Sequence, residues 1–248
     1  MLNEKLQREI IEQNRIFTKG YREDDPYMED FESDQQLQRP QPPLVKEPMA
    51  GMAARVPLPR SFDGLAVRND LAGLFRDRYS CRDYGAGEMD LTQLSFLLWA
   101  TQGIKELRGH SYATVRTVPG AGARHEFETY LLVRQVEGLR PGAYHYLPME
   151  HQLEFLHPVP QLEQTVAETF CGQDWAAGAN VIFYWAMNAY RMEWRYGIYA
   201  HRISLINVGH VCQNLYLAAT ALGLGTCAVA TFSHEESCRA FGLDGEDE

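Results

Sequence analysis

The sequence predicts a mixed helix-and-strand domain organised around a buried helix that feeds a buried strand through a glycine turn. Three observations predict it. Between Tyr199 and Leu222, apolar residues recur at helical spacing (Ile203, Ile206, Val208, Val211, Leu215, Leu217, Ala218, Leu222), with no Pro and almost no charge past Arg202. That pattern argues a long helix, buried over most of its circumference. Gly223-Leu224-Gly225 follows, where two glycines favour a helix C-cap. Thr226 to Phe232 is then short, Val- and Cys-containing and flanked by Gly and Ser233, which reads as a buried strand. A glycine turn placed in a core lets a ligand approach bare backbone. Asn207, His210, Gln213 and Asn214 make the helix too polar to span a membrane. His210 reads as a hydrogen-bonded core histidine.

Size and charge set the bounds. A chain of 248 residues, 45% hydrophobic and 23% charged, has the composition of a globular protein with one core, or one domain with an extension. Its net charge of −10 disfavours nucleic acid as a partner, because phosphate binding needs a basic field. Cys81, Cys171, Cys212, Cys227 and Cys238 show no metal spacing and read as buried reduced thiols. The N-terminus lacks the apolar run of a secretory signal, so a cytoplasmic location is expected.

In chain order, residues 2–18 carry Leu2, Leu6, Ile10, Ile11, Ile16 and Phe17 among charges, an amphipathic helix. Residues 20–66 hold Asp24-Asp25-Pro26, Glu29-Asp30 and Arg39-Pro40-Gln41-Pro42-Pro43. They read as an extended, acidic, Pro-rich segment that wraps a surface or links the first helix to the core; a regulatory tail is the alternative. Residues 1–66 are therefore assigned to a helix and arm, and 67–248 to the compact domain. In that domain, residues 70–78 look helical. Asp90 and Gln93 fit a capping box that opens a helix to about Thr101, with Leu94, Leu97, Leu98 and Trp99 on its apolar side. Phe127–Arg134 is strand-like, Gly138–Gly142 a turn, and Ala143–Pro148 with Gln152–His157 a hairpin. Pro158–Phe170 reads as helix, Ala179–Ala186 as a strand buried on both faces, and Arg191–Tyr196 as a short helical turn.

Three clusters could carry chemistry. Arg78, Ser80 and Arg82 share a side in an extended chain, so two guanidiniums and a hydroxyl can converge as a phosphate requires. Alternatively these arginines pair on the surface with Asp77, Asp83 or Glu88. Pro119-Gly120-Ala121-Gly122-Ala123 has almost no side chains, and its amides could approach a flat or anionic ligand; an ordinary turn fits equally. Trp194, Arg195, Tyr196, Tyr199 and Arg202 could line a pocket for a planar substrate or pack a helix corner. There is no Ser/His/Asp or Cys/His constellation.

The order of the pieces is more specific than any one. An Arg-x-Ser-x-Arg segment precedes Leu97–Gly103. Arg116-Thr117-Val118-Pro119 with Ala121-Gly122-Ala123 follows, then Gly138-Leu139-x-Pro141-Gly142-x-Tyr144-x-Tyr146. Gly209-His210-x-x-Gln213-Asn214-Leu215 and Ala221–Gly225 close the series. Over about residues 70–244 the chain resembles the FMN-dependent nitroreductase superfamily, in its SagB-type oxidoreductase branch, to which the helix ending in Phe17-Thr18-Lys19 is also similar. The resemblance implies an α+β nitroreductase-like fold: a mostly antiparallel central sheet flanked by helices, in an intertwined homodimer with FMN at the subunit interface. By position, Arg78, Tyr79, Ser80 and Arg82 would hold the phosphate and ribityl chain. Pro119, Gly120, Ala121, Gly122 and Ala123 would reach the flavin of the partner subunit, and Gly223, Leu224 and Gly225 would bring backbone to the ring's reactive edge. The implied activity passes hydride from NAD(P)H through FMN to an electron-poor acceptor in a ping-pong cycle, with Arg195 and Tyr196 as the catalytic side chains.

Three positions depart from the family. Arg195-Tyr196 stands where the azoline-oxidising branch has Lys-Tyr, and Gly120 stands where Ser is frequent. The last strand the family carries beyond Gly242–Glu248 is not in this sequence. A peptide azoline dehydrogenase and a non-catalytic flavin- or partner-binding module are the competing readings.

Overall fold

The core of the fold is one strand whose alternate residues face two different hydrophobic clusters. In the computed structural model, which describes residues 3–20, 31–49 and 54–248, strand Phe127–Val133 is buried at every position. Leu131 and Val133 pack with Leu94, Leu97, Leu98, Leu215, Ala218 and Ala219. Tyr130 and Leu132 pack with Leu162, Val166, Phe170, Ala240 and Phe241. A period of two along the strand thus sends side chains to opposite faces, and both faces are covered by helices.

The elements in order are α1 (Glu4–Thr18), β1 (Arg55–Pro57), α2 (Leu71–Asp77), α3 (Leu91–Gln102), β2 (Ile104–Arg108), β3 (Ala113–Arg116), β4 (Phe127–Val133), β5 (Gly142–Leu147), β6 (Gln152–His157), α4 (Leu162–Thr169), β7 (Val181–Met187), α5 (Ala189–Tyr196), α6 (Ala200–Ala221) and α7 (His234–Phe241). The main sheet runs β1-β6-β5-β4-β7, and β2 with β3 forms a separate ribbon. Every pairing between these strands is antiparallel. Helices α3 and α6 cover one face, α4 and α7 the other. This is the α+β architecture expected, with an antiparallel sheet flanked by helices. Among the described residues, no helix is long and apolar enough to cross a membrane.

Local signals land where their chemistry puts them. Asp90 accepts from the Thr92 and Gln93 amides while Gln93 Oε1 accepts from the Asp90 amide, a complete capping box. Asp70 caps α2 through the Gly73 amide. Gly223, at φ 71°, ends α6, and the Leu224 amide reaches back to the Ala219 carbonyl at 2.8 Å, a Schellman closure that needs the left-handed conformation.

The structure corrects several expectations, mostly about burial. Residues 226–232 form no strand: only Thr226 makes a bridge, to Ser80, and Phe232 is exposed. An apolar run becomes a strand only where a neighbour supplies hydrogen bonds, and here one residue of the 78–82 segment does so. Helix α6 buries Ser204, Asn207, Val211, Leu215, Tyr216, Ala218, Ala219 and Ala221, but Leu205 and Ile206 are 62% and 59% exposed. His210 lies on the exposed surface too. Strand β7 meets both clusters, yet only Ile182 is buried, because β7 is an edge strand with the single neighbour β4. Trp99 is partly exposed and stacks on Phe62 and Phe96. The cysteines are all free, but only Cys81 is buried. Helix α4 begins at Leu162 rather than at Pro158. The Asp24-Asp25-Pro26 and Glu29-Asp30 clusters, and Leu2, lie outside the described residues.

Segment 31–49 is laid on the sheet by buried charge. Arg191 on α5 pairs with Glu128 on β4 at 2.5 Å, both almost fully buried. Arg191 Nε donates to the Pro43 carbonyl at 2.9 Å, and Arg116 Nη2 to the Leu44 carbonyl at 3.3 Å. The amides of Lys46 and Met49 donate to Glu128 and Glu154, each at 2.8 Å. Burial pushes the Glu128 carboxyl up, but the His145 hydrogen bond and the Arg191 charge outweigh it and hold the group at about 2. Removing one partner of a buried pair leaves an uncompensated charge, so Arg191→Met is expected to destabilise the fold by about 3–5 kcal/mol. In urea denaturation the double variant Arg191→Met/Glu128→Gln recovers much of that loss; equal losses in the single and double variants would remove the pair from this role.

Candidate active site

The 78–82 segment and the glycine turn are brought side by side. The chain leaves α2 at Arg78 in an extended conformation. Ser80 then makes a parallel bridge to Thr226, and the Cys81 amide donates to the Thr226 carbonyl at 3.0 Å. Gly225 fits because it has no side chain: a Cβ there would lie 2.6 Å from Cys81 Sγ. Helix α6 supplies a residue that sequence reasoning missed. The Tyr216 hydroxyl is 3.0 Å from Ser80 Oγ and accepts from the Ala228 amide at 2.7 Å. Its ring lies 5.2 Å below the Arg78 guanidinium. Tyr216 follows Asn214-Leu215 in a motif read only as core helix; the signal available was a tyrosine hydroxyl on an otherwise apolar face.

Neither arginine of this segment has a carboxylate partner among the described residues. Asp77 is held by Arg76 and Arg68, at 2.8 and 2.7 Å, and their hydrogen bonds keep its carboxyl at about 2. Arg78 and Arg82 make no ion pair with Asp77, Asp83 or Glu88. Arg82 is exposed and lies 5.7 Å from the Trp175 ring. Tyr79 is exposed, Leu224 packs partly against the core, and Gly223 and Gly225 are open to solvent.

The bare loop and the Arg195–Tyr196 cluster, which the sequence presents 70 residues apart, are one site. Gly122 and Ala123 both have left-handed backbone, at φ 57° and 53°. A Cβ on Gly122 would meet Arg195 Cδ at 2.6 Å and the Tyr196 hydroxyl at 2.8 Å. The Ala121 amide donates to Asn207 Oδ1 at 3.2 Å, and Asn207 Nδ2 donates to the buried Glu126 carboxylate at 3.0 Å. Arg124, buried, donates to the carbonyls of Gly122 and Tyr112. Arg195 Nη1 donates to the Tyr112 hydroxyl at 2.9 Å. Pro119 is exposed. Gly120 leaves room for His125, since a Cβ there would lie 2.9 Å from its Nδ1.

Within one chain the two halves stay apart. Asn207 anchors the loop and Tyr216 anchors Ser80, nine residues further along the same helix, or about 13 Å at roughly 1.5 Å per residue. A Ser–His contact does exist, between Ser95 Oγ and His151 Nε2 at 2.8 Å. Ser95 is wholly buried and donates to the Pro59 carbonyl, so the pair fastens a turn and offers no nucleophile. A cavity of about 140 Å³ lined by Arg60, Phe62, Trp99 and His151 includes no residue of either half.

Two outcomes follow from this packing. Burial, then the nearby Arg116 charge, pushes the His125 imidazole down to about 3. An unfolded histidine titrates near 6.5, so the unfolded chain binds more protons between those values. The resulting stability is fully present above pH 6.5 and is lost as pH falls towards 3. The unfolding free energy from denaturant titration is expected to fall on this limb, by about 1.5 kcal/mol between pH 6.5 and 5, and the drop shrinks in His125→Asn. Gly225→Ala is expected to destabilise by about 1–3 kcal/mol through overpacking against Cys81, which thermal unfolding checks.

Comparison with known proteins bears on both halves. A family profile described as "Nitroreductase family" matches residues 75–248. A Methanocaldococcus jannaschii protein assigned as a nitroreductase is 36% identical over 159 residues, 64% of this chain and 77% of its own length. Among solved structures, one from Ralstonia eutropha JMP134, assigned as a nitroreductase, aligns at TM-score 0.63 and 24% identity over 84% of this chain and 91% of its own. Another from Anabaena variabilis aligns at 0.61 and 19% identity, over 80% of this chain and 42% of its own. The E. coli microcin synthetase McbBCD complex, with truncated pro-MccB17 bound, aligns at 0.55 and 16% identity, over 98% and 89%. At these identities the structures share the fold.

Proposed function

The chain belongs to the nitroreductase family and is an oxidoreductase of that type, and from this premise we propose that it binds FMN and couples NAD(P)H to an electron-poor small-molecule acceptor. The observation that carries the reading is the side-by-side placement of Arg78, Ser80 and Arg82 with the Gly223–Gly225 turn, both guanidiniums lacking a carboxylate partner among the described residues. The donor set fits FMN: two cationic forks and a hydroxyl suit a phosphate, and turn backbone without side chains suits close approach of a planar ring. When bound, FMN would supply hydride chemistry, accepting from the nucleotide and delivering to the acceptor in alternation.

The protein's own groups would bind, orient and exclude water. Arg78 and Arg82 would hold the phosphate, with Ser80 fixed by Tyr216. The Arg195 guanidinium is a donor-only fork, so its part is orientation, while the Tyr196 hydroxyl beside Gly122 can hold or move a proton. A homodimer accounts for the separation of the halves: a second copy would place its Pro119–Ala123 loop at the first copy's fork. The exposed Leu205 and Ile206 on α6 support an interface there. The motif order supports the SagB-type branch, and Arg195 in place of Lys disfavours azoline oxidation. Free thiols throughout support a cytoplasmic location.

FMN titration followed by stopped-flow absorbance tests this. The purified chain is expected to take up FMN and to bleach on mixing with NADPH or NADH. Arg82→Ala weakens FMN binding about tenfold or more, since a charge-assisted bond contributes roughly 1.5–3 kcal/mol. Unchanged affinity in that variant removes Arg82 from the site. Flavin that binds but bleaches with neither nucleotide indicates a non-catalytic module, and a chain that takes up no FMN ends the proposal. Sedimentation is expected to give a dimer, shifted towards monomer in Leu205→Glu.

A further inference from the structure

Arg124 and Arg195 are neighbouring cations without a carboxylate partner among the described residues. Burial, with the Arg195 charge beside it, lowers the affinity of Arg124 for its proton. The chain carries 33 acidic side chains against 23 basic ones, yet none of the described ones stands against this pair. Two like charges beside a bare loop repel one another and make a favourable place for an anion.

The two arginines are used differently. Arg124 is committed: its Nε and Nη2 hold the Gly122 and Tyr112 carbonyls at 3.0 and 2.9 Å, and it lies over the Tyr112 and Trp194 rings at 4.6 and 5.4 Å. Arg195 is only half-buried and only partly engaged. Its Nη1 donates to the Tyr112 hydroxyl, which also accepts from Gln35 Nε2 at 2.6 Å and so is itself fixed. Nε and Nη2 of Arg195 have no acceptor among the described residues. Those two atoms form the edge of a guanidinium that grips a carboxylate or phosphate with two parallel bonds. Gly122 packs bare backbone beside that edge: a Cβ there would lie 2.6 Å from Arg195 Nε and Cδ, so glycine is what lets the guanidinium keep its place at the loop.

We propose that Arg195, aimed by Tyr112 and backed by the charge of Arg124, is the docking point for an anionic oxygen group, carboxylate or phosphate, on the small molecule that exchanges electrons at the Pro119–Ala123 loop. This rests on the flavin reading of that loop and specifies its substrate class: the group can belong to the acceptor, as a carboxylate, or to the nucleotide, as the extra phosphate that separates NADPH from NADH.

Calorimetry on the FMN-supplemented full chain, with 4-nitrobenzoate and its neutral analogue 4-nitrobenzamide, tests the first source without needing turnover. The KM ratio of NADPH to NADH tests the second. At least one pair is expected to favour its more anionic member about tenfold or more, and Arg195→Gln abolishes that preference by weakening the more anionic member more than the less charged one. Arg195→Lys restores part of it, because the charge returns without the fork. The pair that moves identifies the source. The proposal is overturned if the parent discriminates in neither pair, or if Arg195→Gln weakens both members of a pair equally, as a merely structural role would. Failure of the flavin reading shows separately, as a parent protein that takes up no FMN.

Discussion

A carboxylate and a guanidinium removed from water hold this molecule in register. Glu128 projects from the central strand and Arg191 from α5, and they meet at 2.5 Å. Desolvating both groups costs several kcal/mol each, which further hydrogen bonds to both partners offset. His145 and the Lys46 amide take up Glu128, and the Pro43 and His125 carbonyls take up Arg191. The pair therefore fixes three things at once: the central strand, the arm crossing it, and the helix that carries Arg195 and Tyr196 one turn further on.

From that constraint the division of the site follows. With α5 clamped, Arg195 and Tyr196 can only lie against Gly122, and the loop can only lie beside Asn207 at the N-terminal half of α6. The fork and glycine turn gather around Tyr216 nearer the other end. One rigid helix carries both half-sites and keeps them apart, while its uncovered side exposes Leu205 and Ile206. A helix that organises two half-sites and leaves an apolar side open is suited to assembling complete sites with a second copy.

How much of this was legible depended on the range of the interaction. The Asp90–Gln93 capping box, the Gly223 cap and the hairpin of β5 and β6 are set by residues within a few positions of one another, and they appear where the pattern put them. The ordered motifs placed the family and, with it, the fold. Burial was read less well. Apolar periodicity predicted the helix of α6 but not its buried side, which takes in Ser204 and Asn207 and leaves Ile206 in water. The apolar run 226–232 had the composition of a strand but only Ser80 as a pairing partner.

By itself the sequence determined the periodicities, the caps, the family and the chemical character of each cluster, since these reside in side-chain type and short spacing. Only the tertiary structure decided which clusters meet. It joined Gly122 to Arg195 and Ser80 to Tyr216 across most of the domain, drew the buried Glu128–Arg191 pair around the arm, and denied Arg78 and Arg82 the carboxylates beside them in sequence. Such contacts are set by packing and desolvation between distant segments, and no local pattern in the chain encodes them.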